Sequence, residues 1–159
     1  QPSDEMQDSG MYPRSYLESR LVVALGGRVA EELFFGKEEI TTGASGDLQQ
    51  VASLARQMVT QWGFAGETLG FTAWEQAGGG GGFGSPQMAS EKTQKLIDAE
   101  VAKIVDRAYA KCFEMLSANR AILDGLTDAL IVEETIDTAR LKEIVAEFAP
   151  NKAAEPVAA

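Results

Sequence analysis

Four apolar residues at every fourth position, Leu17, Leu21, Leu25 and Val29, run through the segment PRSYLESRLVVALGGRVAEELFF. Such a row lies along one side of an α-helix, and a chain carrying it must cover that side with another surface. Val22 and Leu33 widen the stripe, and Gly36 stops the helix. Gly26 and Gly27 interrupt it. A helix-interior glycine costs about 1 kcal/mol against alanine, so the pair needs a reason. Close approach of another backbone is the expected one, with a kink or a break into two helices as the alternative.

The same periodicity recurs downstream. KEEITTGASGD reads as a loop with a short extended stretch at 40–42, followed by a helix over 47–62 that Gly63 ends. Its stripe is Val51, Leu54, Ala55 and Met58. The stretch 69–75, LGFTAWE, suits a short strand, and AGGGGGFGSP (77–86) is a flexible glycine tract. That tract lacks the lysine and hydroxyl of a phosphate-binding loop and the strand-to-helix frame around one. The longest helix is expected from Ser90, as N-cap with Glu91 in the first turn, to about Leu116. Leu96, Val101, Ile104, Val105, Ala108 and Leu116 supply its apolar faces. A further helix carries Ile122, Leu126 and Leu130, and a last one, capped by Asp137 or Thr135, runs to Phe148. The pattern predicts an all-α fold, a bundle of about five helices with one glycine-rich irregular loop. A flexible acidic lead-in (1–12) precedes a helical domain (13–149), and a flexible tail (150–159) follows it.

With 159 residues the chain is long enough for one domain with a real core. A formal net charge of −10 argues against binding nucleic acid or docking electrostatically on an anionic membrane. No apolar run approaches the roughly 18–20 residues that span a bilayer, and no secretory signal is visible. The start without Met fits processing or excision. The chain has one cysteine, Cys112, and no histidine. Ser–His–Asp, Cys–His and HExxH chemistry is therefore impossible from these residues alone, and so is a cysteine-rich zinc site. No catalytic residue is expected in the chain by itself.

Asp47 stands where the polar loop TTGASGD becomes a helix. Helical spacing puts it one turn ahead of Val51, on the stripe expected to be buried. A first-turn carboxylate suits the helix dipole, worth about 0.3–1 kcal/mol. The alternative is a carboxylate directed inward at a neighbour, as a metal ligand is. Ser45 fits either as a capping oxygen. Glu31 and Glu32 resemble an acid–base pair, but adjacent helical positions diverge by about 100°, so a solvated helix face is expected. Cys112 reads as a small core residue, and Trp62 and Trp74 as anchors of a satellite core.

SYLESRLVVALGGRVAEELFFG, EITTGASGDLQQVASLARQMVTQWG and KLIDAEVAKIVDRAYAKCFEMLSANRAILDGLTDALIVEETID together resemble, in order, the carboxyl-terminal peptidase domain of FtsH-type ATP-dependent zinc proteases. The first block is most similar to the thylakoid branch, which implies a chloroplast location, stromal or thylakoid-associated. The resemblance implies an all-helical zinc peptidase domain in which two histidines of an HExxH helix bind the metal. It implies that Asp47 occupies the third ligand position, and that Gly26–Gly27 lie close to the HExxH helix. Gly46 stands where the family has Asn.

HExxH, the ATPase motifs and a transmembrane segment are missing from these residues, so zinc and ATP belong to the full-length family and no cofactor is expected for this chain alone. Two functional expectations follow. The first is a shortened, non-catalytic pseudo-protease serving as a structural or interaction subunit of a larger chloroplast complex, meeting any membrane through its protein partners. The second is the carboxyl-terminal fragment of an active protease that degrades membrane proteins, with Asp47 as its third zinc ligand.

Overall fold

The computed structural model describes residues 11–75, 87–88 and 90–149. The acidic lead-in up to residue 10, the glycine tract from residue 77 to 86 and the tail lie outside them. The fold is all-α. Its elements are α1 (Arg14–Phe35), a 3-10 turn (Lys37–Glu39), α2 (Ser45–Thr60), the single-turn α3 (Gly66–Leu69), α4 (Glu91–Ala118), α5 (Arg120–Glu133) and α6 (Thr138–Phe148). Two short strands, β1 (Trp74–Glu75) and β2 (Gln87–Met88), pair in parallel with Trp74 opposite Gln87. β1 falls at the end of the stretch expected to be extended. The chain divides into two units, Gln1–Cys112 and Phe113–Ala159.

In the first unit, α1 is a single helix of 22 residues that buries Leu17, Leu21, Leu25 and Val29, the four residues of the stripe. It packs against α2, which buries Val51, Ala55, Met58 and Val59. Gly36 ends α1 with φ +83°, a conformation that strains any residue with a Cβ. Gly26 and Gly27 do not break the helix, and apart from the helix's own backbone no described atom lies within 4 Å of a Cβ placed at either. The expected close neighbour is therefore not supplied by the described residues.

From α4 the first unit receives Ile97, Ile104, Ala108 and Cys112, all buried. Ile97 takes the place expected for Leu96, which is 37% exposed. The two adjacent residues lie about 100° apart on the helix, and only one can face the core. Ser90 caps α4 as expected, its hydroxyl accepting from the Thr93 amide at 3.3 Å. α2 and α4 are tied by Arg56, whose guanidinium donates to Asp98 at 2.8 Å and to Gln94 at 3.1 Å.

The second unit is the hairpin of α5 and α6. Asp137 caps α6, its carboxylate accepting from the Arg140 amide at 2.7 Å. Ile144 and Gly125 are buried in this hairpin. A Cβ at Gly125 would come within 2.6 Å of the Phe148 ring, so the glycine permits the close approach of the two helices. Leu130, expected on the inner stripe, is 47% exposed instead.

Leu21 has no exposed surface and sits at the middle of the α1 stripe. Leu21→Ala is expected to cost about 2–5 kcal/mol, read as a lowered urea midpoint with an unchanged slope.

Candidate functional site

Asp47 is the third residue of α2. The loop before it ends at Ala44, which is buried and serves as N-cap without a side-chain hydrogen bond. Ser45, expected as a capping oxygen, is instead the first helical residue, its amide donating to the Thr42 carbonyl at 3.1 Å. Asp47 is exposed, which corrects the expectation that it lies on the buried stripe. Burial on α2 begins at Val51, one turn later, because nothing among the described residues covers the first turn.

That turn borders a groove of about 570 Å³ between α1 and α2. Its walls are Tyr16, Ser19, Arg20, Val23, Ala24 and Gly27 from α1, and Asp47 and Gln50 from α2. Val23 is 79% exposed. The groove thus joins a carboxylate, an uncovered valine and a glycine with open space above it.

The loop that leads to Asp47 is held by Glu31. One carboxylate oxygen accepts from the Thr41 amide at 3.1 Å and the other from the Thr41 hydroxyl at 2.9 Å. The Thr41 hydroxyl in turn accepts from the Gly43 amide at 3.2 Å. Glu32 points elsewhere. It accepts from the Tyr109 hydroxyl at 2.5 Å and faces the Lys37 ammonium at 3.5 Å, with its side chain 9% exposed. The expected solvated face is wrong for Glu32, whereas Glu31 is only partly covered and its bonds to Thr41 are exposed; their divergence is as expected. Each serves a different tie, Glu31 to the loop and Glu32 to α4. Nothing in their spacing marks these partners. A tyrosine beside the buried stripe of α4 and a threonine pair in the loop were the available signals.

Hydrogen bonding to Glu32, with burial adding to it, pushes the Tyr109 phenol up from 10.0 to about 12. A hydrogen bond from Lys103 holds the Glu100 carboxyl below its usual range, with burial opposing it and a hydrogen bond from Thr68 of α3 assisting. Burial raises the Cys112 thiol, in keeping with a core cysteine. Trp62 is 43% exposed with its ring 6.3 Å from that of Phe64, and Trp74 is half-buried, its indole N–H without an acceptor among the described residues.

No group of three or more Cys, Asp or Glu among the described residues is placed to hold a metal, and no helix there is long and apolar enough to cross a membrane.

The sequence matches peptidase family M41 over residues 2–144. The chain belongs to that family. It is 48% identical to the ATP-dependent zinc metalloprotease FtsH 3 of Synechocystis over 149 residues, covering 91% of this chain and 24% of that protein. It is 46% identical to the chloroplastic ATP-dependent zinc metalloprotease FTSH 1 of Arabidopsis thaliana over 143 residues, covering 86% of this chain and 19% of that protein. A Pelobacter propionicus FtsH is also 46% identical, over 91% of this chain and 23% of its own length. The chain therefore spans about a quarter or less of the curated relatives it matches. The family and the chloroplast branch read from the sequence stand, and the plant relatives accord with a chloroplast location. For zinc, Asp47 offers one oxygen donor of a suitable kind, and among the described residues no group of Cys, Asp or Glu stands beside it to complete a tetrahedral site.

The raised Tyr109 value carries a sign. A phenol whose folded value lies above its unfolded one contributes stability that is present below pH 10 and lost as pH rises from 10 to about 12. Absorbance titration at 295 nm is expected to show one phenolate forming near pH 12, absent in Tyr109→Phe. That variant is also expected to lose the steep fall in stability over the same interval.

Proposed function

We propose that this chain forms the helical part of a zinc peptidase site, presenting Asp47 across the α1–α2 groove to a helix that brings the histidine ligands. The observation that carries this reading is the conjunction at the groove. Asp47 and Val23 are exposed there, and a glycine with empty space above it sits beside them. An uncovered valine and an interior glycine both cost stability in a free chain. A helix seated in the groove would use both, since the glycine lets it come close and the valine supplies apolar contact.

On this reading Asp47 is a metal-holding carboxylate, zinc when bound supplies an activated water for peptide hydrolysis, and the general base comes from the covering helix. The chain's own residues orient that carboxylate and close the floor of the site. The whole protein would then be an ATP-dependent, oligomeric protease acting on membrane proteins in the chloroplast.

A second reading is a non-catalytic helical subunit of a larger chloroplast complex, in which the uncovered groove seats a partner protein. The product of the complete gene distinguishes them. The first reading expects about one zinc per polypeptide and casein hydrolysis, with Asp47→Ala losing both while assembly persists. A product that assembles without zinc or hydrolysis supports the second reading and overturns the first. Gly27→Ala gives a further check, because the substitution has room in the free chain. It is expected to stabilise the isolated chain by about 1 kcal/mol while weakening assembly of the complete product.

A further inference from the structure

We propose that Gln49, Ser53 and Gln57, one row along α2, bind the main chain of an extended polypeptide and lead it to Asp47. The inference rests on the reading that Asp47 holds the metal, and it adds where the substrate lies. The groove beside Asp47 has two limbs. One runs along α1 from Tyr16 to Gly27 and meets α2 at Asp47 and Gln50. The other, of about 540 Å³, runs along α2 from Gly46 to Gln57 and meets α1 at Arg20, Leu21 and Ala24. The limbs join at Arg20, Ala24 and Gln50. A helix seated on the α1 limb, over Val23 and Gly27, therefore leaves the α2 limb open.

The α2 wall of that limb is uncharged. The chain is 24% charged, yet the 16 residues of α2 include only Asp47 and Arg56. Arg56 is tied to Asp98 and Gln94 of α4. The side chains of Gln49, Ser53 and Gln57 make no hydrogen bond to another described residue. A glutamine amide carries both a donor and an acceptor, and every peptide unit but proline's offers the same two groups. Pairing of this kind ignores the side chains of the bound segment, whereas a charged wall would select among them.

The spacing fits as well. Four residues of helix rise about 6 Å, and an extended chain repeats on one side about every 6.6 Å. The row thus meets alternate residues of a strand laid along it. Gly46 stands at its Asp47 end, and apart from the helix's own backbone no described atom lies within 4 Å of a Cβ placed there. A bound chain can pass close over that glycine to the carboxylate.

The test uses the complete gene product, stripped of zinc with 1,10-phenanthroline so that nothing is cleaved. Its probes are two fluorescein-labelled, end-capped decapeptides, one of alanine and serine and one of valine and threonine, with binding read by anisotropy. Gln49→Leu, Ser53→Ala and Gln57→Leu are each expected to weaken binding by about 3–10-fold, the range of one neutral hydrogen bond, and equally for both peptides. A third probe, N-methylated at alternate peptide bonds, is expected to bind the parent at least tenfold more weakly and to lose nothing further in the variants. General destabilisation would not give that last result.

Unchanged binding in all three variants, or a loss confined to one peptide sequence, overturns the inference alone when Asp47→Ala has lost zinc and hydrolysis. Retained zinc in Asp47→Ala overturns the metal-ligand reading, and the inference with it. Gln49 and Ser53 are exposed, so should Gln57→Leu fail to fold, the other two variants decide the question.

Discussion

The packing of the Leu17, Leu21, Leu25 and Val29 row against Val51, Ala55 and Met58 is the constraint on which the candidate site depends. It sets α1 beside α2, and so sets the width of the groove between them and the position of α2's first turn. Because both rows are fully apolar and tightly buried, the pair behaves as a rigid floor. Val23 and Gly27 of α1, and Asp47 one turn before the buried row of α2, stay uncovered and line the open groove. One interaction thus determines what the domain hides and what it offers.

Two adjacent carboxylates make that floor specific. Glu32 joins α1 to α4 through the Tyr109 hydroxyl, and Glu31 joins α1 to the loop before α2. Half-buried carboxylates are stable only when their oxygens find donors, and here each finds its own. The turn of about 100° between neighbouring helix positions, which prevents the pair from acting on one substrate, is what lets them brace two different elements. The structural ties are therefore Glu31 and Glu32, while Asp47 lines the groove.

Much of this was legible in the sequence. The α1 stripe, the Gly36 stop, the Ser90 and Asp137 caps and the core cysteine follow from local rules, because each depends on spacing or on a single backbone position. The details that failed depend on what lies opposite. Leu96 and Ile97 are equally apolar neighbours, and only the position of α1 and α2 selects Ile97. Asp47 falls at the spacing of the buried stripe, yet it is exposed because none of the described residues covers the first turn of α2. The glycine pair is expected to meet a close neighbour, and none of the described residues supplies one. Glu32 is not solvated, because its partner Tyr109 comes from another element. The family itself was readable from three ordered blocks, which no local rule supplies.

The central claim is that the α1–α2 groove is a covered surface in the working protein. The most direct measurement is side-chain footprinting of Asp47 and Val23 in the native assembly purified from its source, set against the isolated 159-residue chain. Carbodiimide reports on the carboxylate and hydroxyl radicals on the valine. The expected result is strong labelling of both in the isolated chain and protection of both in the assembly, with Phe71 of the same unit, 92% exposed, as the reference for unimpeded labelling. Equal labelling of Asp47 and Val23 in the two samples would contradict the claim, because it would mean that nothing seats in the groove.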